Sequence, residues 1–425
     1  MPNLRHLLLP VLSLMLITDT PAREGSNEDE SQVPAYTLPN PLHPAGSSPV
    51  QSQADWDSHG RPATLALFEK NLYGHTPAGP WKLDLKTLST KTDALNGKAT
   101  RHLIQIRLAD LPAWPGLQMM LYTPNAATTP VPTFLCLSFG GNHAASTETD
   151  IPLSDRWQRA SKEKHIVNNL ATEASRGTES SRFPFELLID RGYALATAYC
   201  GDLEPDHADG WKDGIRGALS PSVPPTDWTC IGAWAWGLSR MLDALQTLPS
   251  IDPQHCAVVG HSRLGKAALW AGAQDTRFAL VVSNNSGEGG AALKYRHFGE
   301  TPAIITKSFP HWFVPTYATY GPNPQSCPVD QHQLLSLVAP RLLYVASATE
   351  DLWADPKGEF LAALNAEPVF ALYNQTGLKT QTQPAPDTPI GDQIGYHLRA
   401  GKHDITAYDW EQYLAFADRH LRKKP

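Results

Sequence analysis

The most informative stretch of this sequence reads Cys256-Ala257-Val258-Val259-Gly260-His261-Ser262-Arg263-Leu264-Gly265-Lys266-Ala267-Ala268-Leu269-Trp270. It predicts a short apolar strand, a sharp turn around Ser262 and an Ala-rich helix. In such a strand–turn–helix unit a nucleophilic serine is held above the edge of a sheet. Gly260 supplies the small residue before the serine, but Leu264 stands where G-x-S-x-G has its second glycine, and Gly265 follows one position later. Alone, the stretch fits a nucleophile and a plain strand–turn–helix connection equally well.

Apolar runs on both sides of this stretch alternate with helical patterns. The predicted strands are residues 100–108, 117–123, 131–139, 193–199, 278–283 and 341–347. The predicted helices are residues 61–73, 184–191, 228–248 and 408–421. Alternation with short links predicts an α/β fold with a mostly parallel sheet that is covered by helices on both faces. The 37 Pro and 12 Trp residues lie mostly outside the helical patterns, which predicts extended loops around the active site.

The composition excludes several classes of partner. The 425 residues carry a net charge of -7 without a long basic run, which argues against a nucleic-acid partner. The 16 His residues are scattered, and no metal-ligand spacing is present, so we expect neither a metal nor a cofactor. Export permits disulfides, but five Cys residues leave at least one thiol unpaired, and the sequence assigns no particular bridge. Cys136, Cys200 and Cys256 lie in apolar runs that are typical of buried, inert thiols.

The N-terminus has the pattern of an export signal. Arg5 and His6 precede an apolar run, residues 7–17, that is too short to span a bilayer. A small-residue cleavage site follows at residues 20–22, and a polar, Pro- and Ser-rich tail makes the alternative of a buried N-terminal helix less favourable. We therefore expect a secreted or periplasmic protein that keeps no membrane attachment after cleavage. The predicted division is residues 1–22 as signal peptide, 23–56 as flexible N-terminal segment and 57–425 as α/β-hydrolase catalytic domain.

Two later loops supply partners for Ser262 in the order serine, acid, histidine that this fold requires. His403 lies in a loop before the last predicted helix, and Asp351 follows the strand at 341–347. Glu288, which follows the preceding strand, is an alternative acid. The histidine can accept the serine proton only if a carboxylate fixes its tautomer. A lone loop histidine is more often a surface or capping residue, but the order of the three groups favours a catalytic His403.

Several motifs together resemble the glucuronoyl esterases, carbohydrate esterase family fifteen, of bacterial type. The run Gly260–Lys266 resembles the G-C-S-R-x-G-K motif of that family, with His261 in place of the cysteine, and it accounts for the late Gly265. The further matching motifs are Phe139-Gly140-Gly141-Asn142-His143, Ser286-Gly287-Glu288-Gly289-Gly290, Phe298-Gly299-Glu300-Thr301, Asp351-Leu352-Trp353-Ala354-Asp355-Pro356 and Gly401-Lys402-His403-Asp404. The likeness spans residues 61–421.

This resemblance implies a serine esterase with an α/β-hydrolase fold. The implied reaction cleaves esters between 4-O-methyl-glucuronate side chains of xylan and lignin alcohols, through an acyl-enzyme. The fungal members have their acid where this chain has Asn285, and an amide cannot balance the charge of an imidazolium. The acid must therefore come from elsewhere, with Asp351 as the first candidate and Glu288 as the second.

The resemblance also implies the roles of other residues. Arg263 is expected to stabilise the oxyanion through its N–H and guanidinium, and Lys266, Glu300 and Trp353 are expected to bind the sugar. The implied substrate is a lignin–carbohydrate ester or glucuronoxylan, acted on by a monomer. Two alternatives remain: an acetyl xylan esterase on the same fold, which needs no uronate pocket, and an inactive hydrolase fold that binds carbohydrate.

The export signal predicts the N-terminus of the mature protein. Expressed with its own leader, the protein should be recovered outside the cytoplasm and begin near Glu24, because cleavage follows the small residues at 20–22. N-terminal sequencing of the exported material provides the measurement. A secreted product that still begins at Met1 would contradict the prediction.

Overall fold

The computed structural model of the chain describes residues 25–421. The predicted signal peptide, residues 1–22, lies outside this range. Within the described range, no helix combines the length and the apolar character that crossing a membrane requires.

A single ten-stranded sheet forms the centre of the molecule, in the order β1-β2-β3-β5-β4-β6-β7-β8-β10-β9. Its strands are β1 Leu83–Ala94, β2 Ala99–Leu108, β3 Leu117–Pro124, β4 Val131–Ser138, β5 Ala194–Tyr199, β6 Ile251–His261, β7 Leu280–Asn284, β8 Leu342–Ala348, β9 Ile390–Gly391 and β10 Ile394–Arg399. The six strands from β5 to β10 in this order are parallel, and β1, β2, β3 and β9 extend the sheet antiparallel at its two edges. The prediction of a mostly parallel sheet is confirmed.

Thirteen α-helices are present in the described range. They are α1 Gln53–Asp55, α2 Arg61–Phe68, α3 Asn142–Ala145, α4 Phe185–Asp190, α5 Cys200–Leu203, α6 Ile215–Leu219, α7 Cys230–Leu245, α8 Arg263–Gln274, α9 Pro302–Ser308, α10 Pro315–Ala318, α11 Gln331–Ser336, α12 Pro356–Ala371 and α13 Ala407–His420. Short 3₁₀ turns occur at Glu30–Gln32, Glu173–Ser175, Ser180–Arg182, Gly210–Asp213, Lys294–Arg296, Pro324–Ser326 and Leu352–Ala354, and π-helical turns at Trp56–Gly60 and Glu69–Tyr73.

The sheet separates two hydrophobic cores. Alternate residues of β6 point to opposite faces, so Val258 packs into one core while Ala257 and Val259 pack into the other. Helices α7, α8, α11 and α12 cover the first core, and α4 and α13 cover the second. Because both faces are covered, the central strands read as continuous apolar runs in the sequence. This double cover fixes β6 and α8 on each side of Ser262.

Three strands of the sheet, β1, β9 and β10, escape the sequence pattern, and β9 is only two residues long. Edge strand β1 is largely exposed and polar, so it lacks an apolar run. Strand β10 is buried, but it carries His397 and Arg399, which both form hydrogen bonds to the buried Asp409. Buried polar residues that are paired with each other remove the apolar signal on which strand prediction depends.

Residues near the start of the described chain contact later parts of the sequence at several points. Asn27 pairs with Gly299 through a backbone hydrogen bond of 2.7 Å. Glu30 forms ion pairs with Arg296 and Lys357. The flexibility predicted for residues 23–56 stays a prediction, while these contacts join its beginning to the segment that carries Glu300. All five cysteines are free and buried.

Candidate active site

A strained turn presents Ser262 between β6 and α8. Ser262 has φ of 57° and ψ of -131°, in the region that disfavours side chains with a Cβ atom. Two positions, one on either side of Ser262, have room only for glycine. A Cβ on Gly260 would lie 2.0 Å from the carbonyl oxygen of Leu264, and one on Gly265 would lie 2.9 Å from the Cβ of Ser286. Gly265, which comes one residue later than the second glycine of G-x-S-x-G, is therefore required by the packing, as Gly260 is.

The N-terminus of α8 provides a donor next to the serine. The carbonyl of Ser262 accepts hydrogen bonds from the N–H groups of Gly265 and Lys266, at 2.8 and 3.3 Å. In the described structure the Arg263 N–H has no backbone partner, as expected for the first residue of a helix. The positive end of the helix dipole adds to this donor. The turn can therefore stabilise a negative charge that develops beside Ser262.

His403 and Asp351 meet at the carboxyl ends of the strands. Nδ1 of His403 lies 2.6 Å from Oδ2 of Asp351, and the carboxylate is buried while the imidazole is 40% exposed. Asn285 donates to the same Oδ2 through its side-chain amide, at 2.9 Å. Among the described residues no hydrogen bond joins Ser262 to His403. The His403 ring instead lies 4.6 Å from the ring of His261, the neighbour of the serine. Catalytic hydrogen bonds are often loose before substrate binds.

The alternative acid, Glu288, lies in another environment. Its carboxyl group is buried and accepts a hydrogen bond from the hydroxyl of Tyr317. Burial raises the pKa of Glu288 to about 8, although Lys294 and the Tyr317 hydroxyl act against this shift. In the described structure neither a hydrogen bond nor an ion pair joins it to His403. The geometry thus pairs the histidine with Asp351.

The guanidinium of Arg263, the residue after the serine, is held by an aspartate and an aromatic ring. Its Nε lies 3.0 Å from Oδ2 of Asp206, at an angle that makes an ion pair rather than a hydrogen bond. The group stacks 4.5 Å from the ring of Phe139. The two glycine N–H groups after β4 are already occupied: Gly140 donates to Glu179 at 3.0 Å and Gly141 donates to Ser138 at 3.1 Å. Arg263 therefore supplies the donors closest in sequence to Ser262.

Sequence reasoning missed Asp206, His311 and Trp312. Oδ1 of Asp206 accepts hydrogen bonds from Nε2 of His311 at 2.9 Å and Nε1 of Trp312 at 2.7 Å. Trp312 lies 5.9 Å from the Arg263 guanidinium, measured to the ring centroid. Asp206 lies in the loop region after β5, so a systematic reading of every strand-end loop could have found it. No periodicity marks the other two.

Asp206 also belongs to a group of possible metal ligands, in which donor atoms of Asp206, Cys230 and His311 lie within 4.8 Å of one another. The carboxylate, however, already faces a guanidinium and two N–H donors. Burial raises the pKa of the Cys230 thiol well above its ordinary value, which disfavours the thiolate that a metal needs. The contacts explain this group as a support for Arg263.

The three predicted sugar-binding residues lie near one another. Lys266 is 4% exposed, and its Nζ donates to the carbonyl of Ser286 at 2.5 Å. Burial lowers the pKa of Lys266, while the charges of Glu300 and Glu288 act against this shift. Glu300 and Trp353 are neighbours, because the Glu300 N–H donates to the Trp353 carbonyl at 2.9 Å. The structure therefore brings a cation, a carboxylate and an indole ring into one region.

Comparison with known families gives a consistent result. The family model for fungal glucuronyl esterases matches residues 225–374. Carbohydrate esterase MZ0003, from an unknown prokaryotic organism, is 44% identical over 401 residues, which cover 93% of this chain and 92% of that protein.

Two solved structures extend this likeness to the fold. A promiscuous CE15 esterase from a marine bacterial metagenome is 44% identical, with a TM-score of 0.87 over 93% of this chain and 100% of the other. A glucuronoyl esterase from Solibacter usitatus is 46% identical, with a TM-score of 0.85 over 91% of this chain and 99% of the other. The expected α/β-hydrolase fold is thereby confirmed.

Replacement of each candidate acid by its amide tests the pairing of His403 with Asp351. Asp351→Asn should lower kcat for ester hydrolysis about 10³-fold or more, because the imidazole loses its orienting charge. Glu288→Gln, the matched control, should cost much less, since the new amide oxygen can still accept the Tyr317 hydrogen bond. Steady-state kinetics of both variants provide the measurement. Reversed effects would place the acid after β7 instead of β8.

Proposed function

The chain belongs to the glucuronoyl esterases, carbohydrate esterase family fifteen, and from that premise we propose that it hydrolyses esters between glucuronate side chains of xylan and lignin alcohols. The observation that carries the proposal is the 2.6 Å contact between His403 and Asp351, close to the strained serine turn. We further propose that the enzyme is a secreted or periplasmic monomer whose natural substrates carry 4-O-methyl-glucuronate.

The proposed reaction begins with attack of the Ser262 hydroxyl oxygen on the ester carbonyl carbon. His403 accepts the serine proton at Nε2, and Asp351 holds the opposite N–H and stabilises the resulting imidazolium. The tetrahedral intermediate collapses to an acyl-enzyme when His403 returns the proton to the departing alcohol. Water, activated by the same histidine, then releases the glucuronic acid and restores the serine.

Arg263 stabilises the oxyanion in this scheme. Its N–H group and the positive end of α8 lie beside the serine, and the guanidinium adds a full charge. The ion pair with Asp206 and the stacking on Phe139 restrict the guanidinium before substrate arrives. A donor that is already oriented spends no free energy on reorganisation during the reaction.

Specificity for a uronate follows from Lys266, Glu300 and Trp353. Once esterified, the uronate carboxyl group is neutral, so the sugar is recognised through its hydroxyl groups and ring face. Lys266 can donate to hydroxyl groups, Glu300 can accept from them, and Trp353 offers a flat apolar surface. An acetyl ester offers none of these contacts. Each polar group left unpaired in a water-poor site costs about 1–3 kcal/mol, so two groups separate the substrates by roughly 10²- to 10⁴-fold.

Removal of the nucleophile or the base tests the reaction scheme. Ser262→Ala and His403→Ala should each abolish nearly all hydrolysis of benzyl glucuronate, and the double variant should be little worse, because the groups act as a unit. Initial rates with purified proteins provide the measurement, and thermal unfolding confirms that each variant is folded. Substantial activity in Ser262→Ala would remove the serine from the mechanism.

A change at Lys266 tests the sugar specificity. Lys266→Met keeps the buried aliphatic stem but removes the ammonium group. It should lower kcat/KM for benzyl glucuronate about 10-fold or more while barely changing hydrolysis of 4-nitrophenyl acetate, because only the sugar carries hydroxyl groups.

The matched control is Lys294→Met. Lys294 is also buried, but its ammonium group is fully engaged by Val329, Asp330 and Gln331, at 2.8, 3.3 and 3.0 Å. This control should lower the unfolding temperature without changing the ratio of the two kcat/KM values. If Lys266→Met reduces both activities equally, a general esterase, such as one that deacetylates xylan, becomes the better account.

A further inference from the structure

The residue that precedes the serine touches the catalytic histidine. His261 is 5% exposed, and its ring centroid lies 4.6 Å from that of His403, with the planes inclined at 42°. On another side, the ring of Phe139 meets His261 edge to face at 6.1 Å. Phe139 in turn stacks on the Arg263 guanidinium. His403, His261, Phe139 and Arg263 therefore form a continuous row of planar groups from the proposed base to the proposed oxyanion donor. His261, the second member, is also the residue before Ser262 in the sequence.

Hydrogen bonds determine the tautomer of His261. Its Nδ1 lies 2.7 Å from Oδ1 of Asn284. The other end of the Asn284 side chain faces the hydroxyl of Tyr413 at 2.8 Å and Oδ1 of Asp409 at 3.3 Å. An ionised carboxylate only accepts hydrogen bonds, so this end of Asn284 must be the amide nitrogen. The Asn284 oxygen is then an acceptor, and Nδ1 of His261 must donate to it.

Asp409 anchors this arrangement in the core. It is fully buried and accepts hydrogen bonds from Nε2 of His397 at 2.9 Å, Nε of Arg399 at 3.0 Å and the N–H of Thr406 at 2.7 Å. Burial raises the pKa of Asp409, but the hydrogen bond from His397 and the charges of His397 and Arg399 outweigh it, and the net direction is downward. An ionised Asp409 therefore fixes Asn284, and Asn284 fixes the His261 ring.

His261 stays neutral beside a base that becomes charged. Burial lowers the pKa of His261 well below its ordinary value, and the positive charges of His403, Arg182 and Arg263 lower it further, against the hydrogen bond to Asn284. A neutral ring can pack against an imidazolium without the repulsion that a second cation would bring. The contact can therefore persist when His403 takes the serine proton.

We propose that His261 is a positioning residue that holds the imidazole of His403 toward Ser262 by packing against its ring. In the described structure His403 has a single hydrogen bond, to Asp351, and its side chain is 40% exposed. One hydrogen bond leaves the ring free to rotate about the bonded nitrogen, whereas contact with a fixed ring restricts that rotation. The inference rests on the proposed function only in taking His403 as the base of an esterase.

Variants of His261 separate packing from hydrogen bonding. His261→Ala removes both, and kcat should fall by up to about 10²-fold, the effect of a misplacement of about 1 Å, while KM changes little. His261→Phe keeps a ring but loses the donor to Asn284. It should recover most of the lost kcat although its unfolding temperature falls as well. If His261 only stabilised the fold, kcat and the unfolding temperature would fall together. A variant that recovers kcat but not the unfolding temperature therefore separates positioning from stability.

Two further variants complete the experiment. His261→Cys introduces the residue that the G-C-S-R-x-G-K motif has at this position, so we expect the backbone to accept it. Because cysteine has no ring to pack against His403, kcat should fall as far as in His261→Ala. His332→Phe is the matched control, because His332 is buried and bonded to the carbonyl of Pro39, remote in the chain from the serine turn. It should lower the unfolding temperature with kcat unchanged.

The assay uses benzyl glucuronate and 4-nitrophenyl acetate side by side. Because His403 acts on both esters, the His261 variants should lower kcat for both. A wild-type protein that hydrolyses only the acetate would remove the glucuronate assignment and leave this inference standing. The inference is overturned if His261→Ala and His261→Cys keep kcat within about twofold of wild type, or if His261→Phe loses as much kcat as His261→Ala.

Discussion

The positive φ of Ser262 is the constraint on which the site depends. A non-glycine residue in this region costs about 1–3 kcal/mol and persists only where its surroundings over-determine it. Here the N–H of Ser262 donates to the Asn284 carbonyl at 2.9 Å, and its own carbonyl accepts from two N–H groups of α8. The absence of a Cβ at Gly260 and Gly265 lets β6 and α8 approach each other. Strand β6 contributes to both cores and α8 to the first, so the turn cannot relax without unpacking the sheet.

Two buried ionisable groups, Glu359 and Lys266, hold the loop after β7, which packs against Gly265. Glu359 accepts hydrogen bonds from the N–H groups of Ser286 and Gly287 at 2.8 and 3.0 Å, and from the Ser347 hydroxyl at 2.6 Å. Burial raises the pKa of Glu359 to about 8, against these hydrogen bonds. The carboxyl group thus joins the loop after β7 to the end of β8. Lys266 reaches the same loop from α8 through the Ser286 carbonyl. Polar anchors, rather than apolar packing alone, hold the loops that carry the chemistry.

The sequence predicted the parts of the molecule that have a periodic or ordered signal. The parallel strands β4 to β8 were predictable because double burial makes them apolar runs. The contact between Asp351 and His403 was predictable because the order of Ser262, Asp351 and His403 along the chain matches the order of strand ends in this fold. Strand β10 was not predictable, since its polar residues His397 and Arg399 are buried through hydrogen bonds to Asp409, which lies ten or more residues away. Nor could the sequence indicate that His261 packs on His403, because that contact joins the end of β6 to the loop after β10.

The position of Asp351, the proposed acid, shows which features the proposed reaction requires and which it leaves open. Strands β7 and β8 are parallel neighbours, with Asn284 opposite Ala346, so their following loops emerge side by side. The side chain of Asn285, on the first loop, reaches Oδ2 of Asp351, on the second, at 2.9 Å. Two positions 66 residues apart in the chain thus converge on the same point beside Nδ1 of His403. A carboxylate at that point can orient the imidazole from either strand, and the amide of Asn285 donates to the carboxylate instead of repelling it. The proposed reaction requires a negative charge beside Nδ1 of His403, and a side chain can reach that place from the loop after β7 or from the loop after β8.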